Sequence, residues 1–78
     1  MEVHYLVKMA NEIGSFFKAE AAGDLEDAAR QVARHIKRYW DPRMRRQIVD
    51  HYREGKGEGL DVLAHRAIGL LAQEPEKP

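Results

Sequence analysis

Few residues in this chain carry reactive groups, and their spacing limits what they can do. The histidines are His4, His35, His51 and His65, and no two stand three or four residues apart. A helical metal-chelating pair needs that spacing, so none is expected. Ser15 is the only serine, and the chain has no threonine or cysteine. No elbow motif surrounds Ser15, so a covalent nucleophile is not expected either. The lack of cysteine excludes a disulfide and a thiolate metal site in this chain. Gly55-Lys56-Gly57-Glu58-Gly59 has the look of a phosphate loop, but no strand precedes it and no Lys-Ser/Thr pair follows. It reads instead as a helix C-cap and a flexible linker. The expectation is no catalytic, cofactor-binding or metal site.

What chemistry there is concentrates in YWDPRMRRQI, residues 39–48. Formal charge is zero overall but unevenly spread. Residues 1–29 balance at −4, residues 30–53 at +6 and residues 54–78 at −2. The central bases are Arg30, Arg34, Lys37, Arg38, Arg43, Arg45, Arg46 and Arg53. Such a segment suits phosphate or an acidic protein surface. Two helices joined by a short turn loosely resemble a helix-turn-helix, which keeps a small nucleic-acid-binding protein as the alternative reading. Against it stand a pI near 6.9 and Gln47 as the main base-reading candidate. Tyr39 and Trp40 beside Arg43, Arg45 and Arg46 have the composition of a protein-interface hot spot. These five are the candidate partner-docking residues. Trp40 fits a core and an interface equally well, because both favour that residue type.

The elements that must position these residues are helical. Leu6, Met9, Ala10, Ile13, Phe16 and Phe17 recur at helical spacing over residues 3–20. Asp24 is placed to cap a second helix, with Glu26 and Asp27 in its first turn. Leu25, Ala28, Ala29, Val32, Ile36 and Tyr39 form its apolar face. Asp41-Pro42 is the helix junction: proline suits the first helical position, and aspartate suits the non-helical cap before it. Met44, Ile48 and Tyr52 give the third helix a narrow stripe, with Val49 beside it. Asp61 caps a short fourth helix along which Leu60, Leu63, Ala64, Ala67, Leu70 and Leu71 align. No segment alternates with period two. The expected fold is all-α, a small bundle of three to four short helices. Residues 1–72 form one domain and 73–78 a frayed tail. A chain of 78 residues buries a modest core, so a partner or a second copy would add stability. The start lacks a basic, then unbroken apolar, leader and no run is long enough to span a membrane, so a soluble cytoplasmic protein is expected.

HYLVKMANEIGSFF at the start, RHIKRYWDPRMRRQIVDH in the centre and GEGLDVLAHRAI later together resemble the delta subunit of bacterial NAD-dependent, molybdenum-containing formate dehydrogenases. The resemblance runs from about residue 3 to 71, and LVKMANEIGSFF and WDPRMRR are its most specific parts. Asp61-Val62 departs from a more usual Ser-Pro, and Asp61 still serves as a cap. The resemblance implies a non-catalytic accessory subunit of a cytoplasmic complex that converts formate and NAD to carbon dioxide and NADH. It implies that the molybdenum cofactor, iron–sulfur clusters and FMN reside in larger subunits. It also implies docking on one of them, the catalytic alpha subunit first, in support of assembly or stability. A docking face left uncovered would favour a homodimer of the isolated chain.

The two readings separate on a salt titration. If residues 30–53 grip phosphate, affinity for a mixed-sequence DNA duplex should fall steeply with salt. No binding at low salt excludes that reading.

Overall fold

Three aspartates set the starts of three helices. The chain folds as α1 Val3–Glu20, α2 Leu25–Tyr39, α3 Pro42–Gly55 and α4 Val62–Gln73, in a computed structural model that describes residues 2–73. Asp24 accepts from the Asp27 N–H at 3.0 Å, Asp41 from the Met44 N–H at 3.0 Å, and Asp61 from the Ala64 N–H at 3.1 Å. Each bond satisfies a donor the helix itself cannot pair. Pro42 occupies the first turn of α3, where its missing N–H costs nothing. The all-α expectation holds, with four helices and no strand among the described residues. Gln73, expected in the tail, ends α4; residues 74–78 lie outside the described residues.

α4 is the element on which the others meet, packing against α2, α3 and α1. Leu63, Ala64, Ala67, Ile68 and Gly69 are all buried along it. Small side chains let the backbones approach. Ala10, Ala28, Ala29, Ala64 and Ala67 are completely buried at these contacts. Leu6, Val32, Ile36, Ile48 and Ile68 fill the space between. At Gly69 a Cβ would stand 2.8 Å from the Tyr52 hydroxyl, so glycine there is what admits the α3 tyrosine ring. Among the described residues no buried side-chain polar atom is left without a partner. No described helix is long and apolar enough to cross a membrane.

The sequence periodicity locates the helices better than it locates their faces. On α1 the buried line includes Val7 and Gly14, and Phe16 points outward at 61% exposure. Phe16 and Phe17 are adjacent, so they stand about 100° apart around the axis and cannot both face one core. On α2 the ends of the expected apolar face, Leu25 and Tyr39, are exposed. On α4 Ile68, outside the expected line, is completely buried.

The loop expected to be a flexible linker is tied on three sides. His51 Nε2 donates to the Glu58 carbonyl at 2.8 Å, and His65 Nε2 to the Lys56 carbonyl at 3.0 Å. Asn11 of α1 donates to the Gly59 carbonyl at 3.0 Å and accepts from the Asp61 N–H at 2.9 Å. Gly57 has φ +70°, and a Cβ on it would meet His65 at 2.8 Å, so both backbone and space require glycine. Glu26 of α2 and Arg66 of α4 form a two-pronged pair at 3.0–3.3 Å. Those hydrogen bonds hold the Glu26 carboxyl below its usual range.

Trp40 is 5% exposed and belongs to the same core cluster as Ile36 and Ile48. Trp40→Ala should therefore destabilise the isolated chain by about 3–5 kcal/mol. Urea unfolding followed by circular dichroism checks this; a fully stable variant would contradict a core role.

Candidate functional site

The junction between α2 and α3 separates residues that lie together in the sequence. Trp40 ends α2 with its N–H still bonded to the Ile36 carbonyl at 2.9 Å, but its ψ of 142° turns the chain out of the helix. The ring goes inward. Of the five docking candidates, Trp40 is thus covered by this chain's own core, which decides between the two roles its type allows. Its carbonyl stays outside, and Arg45 Nη1 donates to it at 2.7 Å and to the Lys37 carbonyl at 3.0 Å. Those carbonyls are the unpaired acceptors at the negative end of α2, so a guanidinium there is doubly favoured. Arg45 is half-buried and works as a clamp across the junction that Asp41 and Pro42 form. Arg43 and Arg46 remain exposed on α3, and Tyr39 is 66% exposed on α2.

Tyr39 belongs to a different cluster from the arginines that follow it. Its ring lies 4.8 Å from His35, His35 lies 5.7 Å from Phe17 of α1, and Phe17 lies 5.2 Å from Phe16. Four rings thus run from one helix to the next. Arg38 closes the end, its guanidinium carbon 5.7 Å from the Tyr39 ring centroid. The edge-on and tilted geometries are those aromatic pairs prefer. Phe16, Phe17, His35 and Arg38 are absent from the sequence-derived docking set. The adjacent Phe-Phe and Tyr-Trp pairs held the signal, since each pair must send one ring away from the core.

Part of the basic segment is engaged within the chain. Arg45 is committed to α2 carbonyls, Arg38 stands over Tyr39, and Arg53 donates to the Ala72 carbonyl of α4 at 2.6 Å. Two histidines are loop ties, and His4 sits 2.9 Å from Glu2 at the surface. Ser15 lines a shallow, open cleft with Gly14, Lys18, Leu25 and Val62, where the nearby carboxylate of Asp61 already caps α4. No group of three or more His, Asp or Glu converges on a common point among the described residues. Donor chemistry for an iron–sulfur cluster is missing as well, since such clusters are held chiefly by cysteine thiolates and the chain has none.

The fold defines a small all-α domain, with the exposed rings of Phe16 and Tyr39 and the exposed guanidinium of Arg38 on its α1 and α2 surface. The chain belongs to the family described as NADH-dependant formate dehydrogenase delta subunit FdsD, matched over residues 5–68. That span takes in the junction, the clamp and all four rings. Neither the curated proteins nor the solved structures contain a significant match.

Arg45→Met keeps the aliphatic stem and removes both bonds to the α2 terminus. It should cost about 1–2 kcal/mol, toward the lower end for charged hydrogen bonds because the group is partly solvated. Chemical denaturation with an unchanged m-value would check this; unaltered stability would mean that water replaces the clamp without loss.

Proposed function

We propose that this chain is a non-catalytic accessory subunit of a cytoplasmic NAD-dependent formate dehydrogenase, and that it supports assembly or stability by docking on a larger subunit. The catalytic alpha subunit is the proposed partner. The observation that carries this reading is family membership across most of the chain. The site chemistry is in keeping with it: His51 and His65 are engaged in loop ties, and His35 lies between the rings of Phe17 and Tyr39. On this reading the molybdenum cofactor, iron–sulfur clusters and FMN reside in the partners. Tyr39, Arg43 and Arg46 remain exposed enough to contact one, whereas Trp40 and Arg45 would contribute by holding the junction in shape.

Co-expression of the tagged full chain with the larger subunits tests the proposal. Stoichiometric retention of the alpha subunit at moderate salt is expected, with lower yield or thermal stability of the complex when this chain is omitted. Failure to retain any larger subunit would overturn it.

A further inference from the structure

α1 carries two apolar lines, and the fold buries one fully and the other only in part. Leu6, Val7, Ala10 and Gly14 are buried. Tyr5, Met9, Ile13 and Phe16 follow one another at four, four and three residues, which sets them in a second line along the same helix. Met9 and Ile13 are half-covered by the core they flank, whereas Tyr5 is 54% exposed and Phe16 61%. A second apolar line at helical spacing is how a helix presents itself to another helix. The ring sequence Phe16, Phe17, His35, Tyr39 carries that line across to α2 without a break.

The α2 edge of this strip is cationic, whereas Glu12 and Glu20 stand exposed one turn either side of Phe16 on α1. Arg34 and Arg38 are both exposed on α2 and lie five and one residues before Tyr39. Neither makes a hydrogen bond or an ion pair with a described residue, although Glu26 and Arg66 on the same bundle are paired in full. Arg38 is already positioned over Tyr39, and its N–H groups stay available for a carboxylate. The strip therefore combines the exposed rings of Phe16 and Tyr39, which gain from being covered, with two cations that have no ion-paired counter-charge among the described residues. A twofold copy of this chain that paired α2 with α2 on the strip would bring a second set of the same cations to one interface. A partner bearing carboxylates neutralises them.

We infer that the α1–α2 strip formed by Phe16, Phe17, His35 and Tyr39, with Arg34 and Arg38 along its edge, is the surface by which this chain holds its larger partner. Its occupant is an amphipathic helix of that partner with apolar residues at helical spacing and a row of carboxylates on one side. This rests on the accessory-subunit reading and gives it a location and a chemistry.

The test uses the full chain co-expressed with the larger subunits. Phe16→Ser with Tyr39→Ser should lower retention of the partner by at least tenfold, and so should Arg34→Glu with Arg38→Glu. Val62→Ser, an equally exposed apolar change outside the strip at 81% exposure, should leave retention as in the parent chain. Circular dichroism melts should be unchanged in all three, since each replaced side chain is exposed. Full retention of both strip variants, with release by Arg43→Glu/Arg46→Glu instead, would overturn the assignment in favour of α3. Loss of self-association by light scattering, with partner retention intact, would show the strip to be a contact between copies and would overturn it too. If the parent chain itself retains nothing, the accessory reading fails and the strip assignment falls with it.

Discussion

In a domain this small, one helix has to serve as the inside for all the others. α4 does so, covered by α2 and α3 and crossed by α1. The constraint is backbone separation: three neighbours can reach a single helix only where the contacting side chains are short. The completely buried alanines on α1, α2 and α4 meet that need, and Gly69 makes room for Tyr52. The larger apolar residues then fill what the close approach leaves over. The consequence reaches the surface. With the helix contacts made by small residues, several of the largest apolar side chains, Tyr5, Phe16 and Tyr39 among them, are left outside. The aromatic strip is thus a product of how the interior is packed.

The junction between α2 and α3 depends on the same interior. Trp40 seals one end of the core with its ring and offers its carbonyl to Arg45 on the outside. Asp41 and Pro42 set the turn, and Arg45 reaches back across it. An aromatic residue, a cap, a proline and a guanidinium act on one corner in four different ways. Their adjacency in sequence reflects the geometry of a corner and not a shared contact surface.

Local signals survived the passage from sequence to structure, and non-local ones did not. The starts of α2, α3 and α4 were legible because an aspartate cap acts within three residues of itself. The choice of face was less so, because adjacent pairs such as Leu6-Val7 and Phe16-Phe17 leave the orientation of a helix open by about one residue's rotation. The ordering of the glycine string was illegible. Its bonds come from Asn11, 48 and 50 residues away, and from histidines on two different helices. For the candidate site, Tyr39, Arg43 and Arg46 are exposed as a surface role needs, but the rings that join Tyr39 come from α1, and no spacing within residues 39–48 points there. Family membership was legible in the resemblance of whole segments and not in any reactive residue.

Asn11 has a consequence for how the domain holds together. Its amide gives one hydrogen bond and takes one, and both partners lie in the segment that leads into α4. The entry to the central helix is thus completed by a side chain from the first helix. Neither Asn11 nor the segment at Gly59 and Asp61 completes these hydrogen bonds without the other. A helical hairpin made of α3 and α4 alone would lack that brace, so the stability of the two halves is shared. Opening of α1 breaks both of these bonds at once, and the amide proton of Asp61, which is bonded to the Asn11 side chain, would report the departure of a helix far away in sequence.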